Sequence, residues 1–140
     1  MHRQGDIVLV NTPFSDLNAS KRRPVLIVSK DGYNNKQQDV IVAAVTSKLT
    51  SRDYTVEFDN DDMEQGEILT KSCVRADKIF SLDKSLVIKK FGSVSGEIVS
   101  KTVKLISAVI AAPEAPPEIS AEAGEDEGVS VVAAPDRPAQ

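Results

Sequence analysis

Short apolar runs of strand length, bounded by polar and turn-forming residues, are the feature that most constrains the fold of this chain. Val, Ile and Leu dominate the segments 6–10, 25–28 and 40–45. Runs of this length are typical of β-strands and too short for amphipathic helices, which need about 10–12 residues. Residues 31–35 are dense in turn formers, so the second and third runs are predicted to be neighbouring strands of a long hairpin.

Further strands are predicted along the middle of the chain. Segment 54–58 alternates, with Tyr54, Val56 and Phe58 on one face, as expected of a half-buried strand. Additional β-like pieces are predicted at 72–77, 78–82 and 86–91. The acid-rich stretch 57–64 lacks the glycine and glutamate of a calcium loop and is interpreted as a solvated hairpin tip.

The apolar period changes to that of a helix after Ser95. The helical positions are Ile98, Val99, Thr102, Leu105, Ile106 and Val109. Ser95 is placed to cap this helix, and Glu97 lies in its first turn, where the helix dipole favours an acid. The sequence therefore predicts a mainly β fold with helices (α+β): a small, strongly curved sheet or barrel on which a C-terminal helix packs.

Composition divides the chain near residue 111. Residues 111–140 contain seven acids, one base, five of the seven prolines and eight alanines, and such a segment buries too little apolar area to offset its chain entropy. We expect one domain at 1–110 and a disordered acidic Ala/Pro/Glu-rich tail at 111–140. A solubilising linker is the favoured role for this tail, ahead of a segment that folds back over a basic groove.

Several classes of function are excluded by residue content. The chain has one cysteine, Cys73, and one histidine, His2, so a disulfide scaffold, a zinc module and a histidine-based catalytic triad are excluded. Cys73 is predicted to be a small buried side chain. No apolar run approaches the ~20 residues of a membrane span, and no secretory signal precedes the first strand, so a cytoplasmic protein without membrane contact is expected.

Two strand ends are predicted to bring an arginine close to a threonine. If the strands 25–28 and 40–45 pair antiparallel with Val28 opposite Ile41, Arg23 lies opposite Thr46 on the same face of the sheet. Pro24 confines Arg23 to extended backbone, which helps to fix the direction of its guanidinium.

A second polar pair is predicted on a later strand. In the segment 73–77, extended backbone sends Arg75 and Asp77 to the same side, which places a cation next to a potential base. The alternative is an exposed ion pair without a catalytic role.

These residues carry a resemblance to a known family. Their order and spacing over about residues 4–110 resemble the MazF/PemK/Kid family of bacterial toxin endoribonucleases, and the matching segments are Gly5–Val10, Lys21–Ser29, Tyr33–Asn35, Val40–Ser47 and Val74–Asp77. The resemblance implies a homodimer of small SH3-like, PemK/CcdB-type barrels. It further implies an enzyme that cleaves single-stranded RNA, such as mRNA, without a metal or other cofactor, and a cognate antitoxin as partner. The loop at 15–21 departs from the family pattern.

The resemblance also assigns roles to particular residues. It makes Arg23 and Thr46 the active-site pair, and Arg75 and Asp77 the acid and base. Attack by a ribose 2′-hydroxyl on the adjacent phosphate develops negative charge and needs both a cationic donor and a proton acceptor, which these types of side chain supply. Predicted RNA contacts are Lys21, Arg22, Ser47, Lys48 and Arg52.

Two other functions are compatible with such a barrel. One is a toxin that acts by binding another protein, as gyrase poisons do, although the family's poisoning function uses a C-terminal tryptophan and this chain has none. The other is a catalytically silent nucleic-acid or peptide-binding barrel, because a fold does not fix an activity.

Overall fold

The structure, a computed structural model, describes residues 1–12, 21–49 and 53–112. Within these ranges the chain forms an antiparallel sheet, two α-helices and two short 3₁₀ turns. In chain order the main elements are β1 (Asp6–Thr12), β2 (Lys21–Ile27), α1 (Asp31–Lys36), β3 (Asp39–Thr46), β4 (Thr55–Phe58), β5 (Met63–Gly66), β6 (Ser72–Asp83), β7 (Val87–Val94) and α2 (Gly96–Ile110). They all belong to one compact unit, Met1–Ile110.

The sheet curls strongly. Its strand order is β4-β6-β3-β2-β1-β7-β5, so the two edge strands, β4 and β5, are consecutive in the chain and only residues 59–62 connect them. Phe58 and Met63 are thus five residue steps apart, at most about 18 Å, which forces the two edges of the sheet towards each other. The predicted curved sheet with one C-terminal helix is therefore confirmed.

The hairpin tip predicted at 57–64 is wrong. β4 pairs with β6, whereas β5 pairs with β7, so the stretch joins the two edge strands of the sheet and not two paired strands of a hairpin. It forms a 3₁₀ turn in which backbone N–H groups donate to acidic side chains of the same stretch. Asp61 N–H donates to Asp59 Oδ1 at 2.9 Å, and Asp59 N–H donates to Asp62 Oδ2 at 3.0 Å. The acidic side chains thus cap the turn.

Two local predictions are also corrected. Residues 31–36 form the short helix α1 instead of an open turn; Asp31 in its first turn and Lys36 in its last turn complement the helix dipole. Tyr54 does not share the buried face of β4, because it lies before the strand with a φ of 64° and is 42% exposed. Val56 and Phe58 are buried as predicted.

The core has two parts that lie on opposite faces of the central strands. One contains Leu26, Phe58 and Val74, and α2 contributes Ile98 to it. The other is centred on Val25, Ile27, Val40, Val42 and Leu82. Apolar residues therefore occupy both faces of β2 and β3, which explains why these strands read as continuous apolar runs.

The helix α2 begins as the sequence predicts. Ser95 Oγ accepts a hydrogen bond from Ile98 N–H at 3.4 Å, and Ile98 and Thr102 are buried. Val109 is 38% exposed, so the buried face of the helix ends before its last turn. In the part of the chain that the structure describes, no helix has the length and apolarity needed to cross a bilayer.

Candidate functional site

A cleft opens where β2 and β3 separate. The β2–β3 ladder joins Val25, Leu26 and Ile27 to Ala44, Ala43 and Val42, and both strands continue beyond it. Pro24 lacks a backbone N–H to donate across the strands. The cleft has a volume of about 660 Å³, and its described lining residues are Thr12, Arg23, Pro24, Val25, Ala44, Val45, Thr46, Lys48, Arg75, Lys78 and Phe80.

The predicted register of β2 and β3 is confirmed. Val28 N–H donates to Ile41 O at 2.9 Å, and the pairs of the ladder follow the same register. Arg23 and Thr46 lie two residues beyond the last pair, Val25 and Ala44, on the two strand ends that border the cleft. The structure therefore brings both side chains to one solvent-accessible site.

Thr46 also organises the residues that follow it. Its Oγ1 accepts a hydrogen bond from Lys48 N–H at 3.1 Å, a local turn of the kind that hydroxyl side chains favour. Because this oxygen acts as acceptor towards the backbone, the hydroxyl hydrogen can be donated to a ligand. The turn brings Lys48 to the cleft, where it lines the wall.

Arg75 and Asp77 are in contact, as predicted. Arg75 Nε donates to Asp77 Oδ1 at 3.2 Å, and Arg75 Nη2 donates to Asp77 Oδ2 at 3.0 Å. This fork is the bidentate geometry that makes arginine–carboxylate pairs strong and directional. Arg75 lines the cleft, and Asp77, which is not among the lining residues, lies next to it through this contact.

An irregularity in β6 adds residues to the cleft that alternation does not predict. Ala44 pairs with Arg75, but its neighbour Ala43 pairs with Ile79, so residues 76–78 form a bulge. β-bulges redirect side chains and are frequent beside functional sites. As a result Lys78 and Phe80 face the cleft together with Arg75, and the two pieces predicted at 72–77 and 78–82 are one strand interrupted at this point.

Among the described residues, the charged side chains that line the cleft all have the same sign. Among its described lining residues, Arg23, Lys48, Arg75 and Lys78 are cationic and none is acidic. A concave surface of this kind concentrates a positive potential. It is suited to a polyanion that presents more than one phosphate.

Other predicted contacts lie outside the cleft wall. Lys21, Arg22 and Ser47 are exposed next to it and are not among its lining residues. Arg52 and the loop at 15–20 lie outside the described residues, as does the tail from residue 113. Cys73 is 3% exposed, as predicted for a packed thiol.

Sequence reasoning missed Thr12, Lys78 and Phe80. Thr12 is buried, and its hydroxyl donates to Lys21 O at 3.0 Å, so it anchors the first residue of β2 beside the cleft. Lys78 and Phe80 reach the cleft through the bulge in β6, for which no local sequence pattern gave a signal. In residues 1–12, 21–49 and 53–112, no group of three or more His, Cys, Asp or Glu side chains is arranged to hold a metal.

Comparisons with known proteins agree with this architecture. The model of a family described as PemK-like, MazF-like toxin of type II toxin–antitoxin systems matches residues 3–110. No curated protein matches the chain in sequence.

Similar solved structures share the fold at low sequence identity. One is an endoribonuclease in complex with its cognate antitoxin from a mycobacterial species, 21% identical with a TM-score of 0.63 over 82% of this chain and 100% of its own. MazF from Deinococcus radiodurans is 20% identical, with a TM-score of 0.62 over 79% and 97% of the two chains. The Mycobacterium tuberculosis toxin MazF-mt6 is 16% identical, with a TM-score of 0.62 over 78% and 99%.

The family match covers the whole sheet, the helix α2 and every described residue of the cleft. The chain therefore belongs to the PemK-like, MazF-like family of toxins of type II toxin–antitoxin systems.

Proposed function

We propose that this toxin is a sequence-selective endoribonuclease that cleaves single-stranded RNA without a metal cofactor. The observation that carries the proposal is the meeting of Arg23, Thr46 and Arg75 in one cationic cleft. Family membership supports it, because similar solved structures include proteins named as endoribonucleases.

Arg23 and Thr46 are proposed to act on the phosphate. When the ribose 2′-oxygen attacks phosphorus, negative charge builds on the two non-bridging oxygens, and fixed donors at that point stabilise the transition state. The guanidinium fork of Arg23 matches these two oxygens. Thr46 adds a hydroxyl donor from the opposite border of the cleft.

Asp77 and Arg75 are proposed to handle the proton and the leaving group. Asp77 accepts the proton of the 2′-hydroxyl, the new O2′–P bond forms, and the P–O5′ bond breaks. Arg75 stabilises the charge on the departing 5′-oxygen, which takes a proton from water. The products are a 2′,3′-cyclic phosphate and a 5′-hydroxyl, and the dependence on the 2′-hydroxyl selects RNA over DNA.

The remaining predicted contacts are proposed to position the strand. Lys48 in the cleft wall contacts phosphate, and the exposed Lys21, Arg22 and Ser47 continue this track, with Arg52 assigned to it from the sequence. Phosphate contacts fix the register of a nucleic acid and carry no sequence information directly.

The biological setting follows from the family. We propose a homodimer that acts in the cytoplasm, is held inactive by a cognate antitoxin, and has its catalytic domain at 1–110 with an acidic tail at 111–140. An antitoxin-bound form of a similar structure and the compact unit Met1–Ile110 support these assignments.

The decisive test is cleavage of a long single-stranded RNA by the purified full-length chain in excess EDTA. Discrete cuts that end in 2′,3′-cyclic phosphate are expected. A matched RNA with a 2′-deoxy residue at one mapped cut site should lose that cut alone. Intact RNA under these conditions contradicts the nuclease and leaves the two alternatives, a protein-binding toxin and a silent nucleic-acid-binding barrel.

A further inference from the structure

We propose that Thr12 is a positioning residue for Arg23. Its hydroxyl holds the start of β2 against β1, and this contact fixes the direction from which Arg23 reaches the phosphate. The inference rests on the proposed function, in which Arg23 stabilises the transition state. Thr12 was not predicted from the sequence as part of the site, and it acts on catalysis through Arg23 without having to touch the reacting atoms.

The start of β2 is paired on one side of the strand. The β1–β2 ladder continues to the end of both strands, where Thr12 pairs with Lys21. The β2–β3 ladder, in contrast, ends at Val25. Among the described residues, 21–24 are therefore paired in the sheet with β1 and not with β3. Because Arg23 belongs to this segment, its position depends on how firmly β1 holds β2.

A side-chain hydrogen bond reinforces the last pair of this ladder. Thr12 Oγ1 donates to Lys21 O at 3.0 Å, and Thr12 is only 4% exposed. A hydrogen bond whose donor is shielded from water restrains the backbone more firmly than one at the surface, because water does not readily replace it. The bond therefore fixes the backbone two residues before Arg23.

Thr12 and Arg23 lie on the same face of the sheet. Arg23 is directly opposite Val10, and Val10 and Thr12 are two residues apart on β1, so these side chains share a face. Thr12 and Arg23 both line the cleft. Because Arg23 is exposed, the direction of its guanidinium depends on the backbone that carries it. A displacement of about 1 Å at a reacting group can cost about 10²-fold in rate.

The kinetics of RNA cleavage by Thr12→Val test the role of the hydroxyl. Valine keeps nearly the shape of threonine but has no hydroxyl to donate. Arg23 is proposed to act on charge that develops only in the transition state, so kcat should fall by about 10–100-fold while KM stays within about twofold. Thr12→Ser keeps the donor and should retain the kcat of the unmodified protein. An unchanged kcat in T12V, or equal losses in T12V and T12S, would overturn the proposal.

Thr102→Val is the matched control for a lost buried hydroxyl. Thr102 is buried in α2, where its hydroxyl donates to Ile98 O at 2.9 Å, and it is not among the residues that line the cleft. The variant therefore loses a comparable hydrogen bond far from Arg23 in the chain, and its kcat per folded molecule should be unchanged. A loss of kcat in T102V as large as that in T12V would assign both effects to general destabilisation and reject the positioning role.

A double-mutant cycle with Arg23→Ala separates positioning from direct action. If Thr12 acts through Arg23, T12V should have almost no further effect on the single-turnover rate once the guanidinium is absent. If Thr12 contacts the RNA or acts on another group, the two losses should multiply, and this result contradicts the proposal. Should T12V fail to fold, Thr12→Ala replaces it in each comparison.

These tests fail differently from the proposed function. If the unmodified protein does not cleave RNA, both proposals are overturned. If R23A cleaves RNA fully, the assignment of Arg23 fails and the role of Thr12 fails with it. If R23A is impaired but T12V keeps its kcat, or if the losses in T12V and R23A multiply, the nuclease stands and only the positioning role is rejected.

Discussion

Two polar regions of this toxin differ in where their hydrogen bonds go. In the corner formed by Ser29 and Asn34, Ser29 Oγ donates to Asn34 Oδ1, Asn34 Nδ2 donates to Ser29 O at 2.9 Å, and Ile41 N–H donates to Ser29 Oγ at 2.9 Å. Asn34 is 1% exposed. In the cleft, the cations Arg23, Lys48, Arg75 and Lys78 line an open surface.

Because of this difference, the two regions have different roles, although both belong to the segments that resemble the family. Both regions lie in segments that match the family pattern, yet the corner satisfies its own donors and acceptors, which is what a buried polar group requires. The cleft concentrates charge without an acid among its described lining residues. The corner should therefore govern stability, and the cleft should govern the handling of RNA.

The largest effect is expected for Asp77→Asn. Removal of the proposed base should lower the cleavage rate by about 10²–10⁴-fold, and the acidic limb of the pH–rate profile should disappear with it. Single-turnover rates across the acidic and neutral range measure both. Asp61→Asn, an exposed acid in the 3₁₀ turn, serves as the control. A variant that is slow but keeps the profile would make Asp77 a positioning residue for Arg75.

The next largest effect on cleavage is expected for Arg23→Ala. Loss of one donor to the transition state should lower turnover by about 10²–10³-fold, whereas the melting temperature should stay nearly unchanged because Arg23 is exposed. Lys36→Ala in the exposed last turn of α1 is the matched control for lost charge. Full cleavage by R23A would refute the assignment of the cleft as the catalytic site.

Asn34→Ala should show the opposite behaviour. It leaves buried partners at Ser29 unsatisfied, and we expect a loss of about 1–3 kcal/mol in the free energy of unfolding, measured by urea denaturation. Cleavage per folded molecule should be unchanged. Asn35→Ala, its exposed neighbour, should alter stability by no more than about 0.5 kcal/mol. A folded N34A protein that loses cleavage would break the division between the two regions.

The smallest effect is expected at Asp83, at the far end of β6 from the cleft. Hydrogen bonds from Ser85 and from Gln38 lower the pKa of Asp83 below its usual value. A lowered pKa in the folded state stabilises the fold above the unfolded pKa, and this contribution is lost as the pH falls through the folded pKa. The difference in melting temperature between the unmodified chain and Asp83→Asn should shrink on acidification, with no change in cleavage at neutral pH. A difference that is constant with pH would contradict this cause.

The sequence predicted the meeting of Arg23 and Thr46 and the contact of Arg75 with Asp77, because period-two alternation and the register of one strand pair decide both. Val28 opposite Ile41 was enough to place Arg23 and Thr46 on neighbouring strand ends, and the spacing of Arg75 and Asp77 was enough to bring them into contact. The second relation is local and the first depends only on the pairing of β2 with β3, so both can be predicted without knowledge of the rest of the fold.

The tertiary structure alone decided the remainder. The bulge at 76–78 turns Lys78 and Phe80 into the cleft, although no local sequence pattern requires it. The closure of the sheet, which brings β4 and β5 together across the capped turn at 60–62, depends on pairings between residues far apart in the chain. The sequence by itself determined every strand except β5, together with the helix α2 and the catalytic candidates. The widening of the cleft beside Pro24 and the identity of its apolar wall depend on how the strands curve and pack against one another.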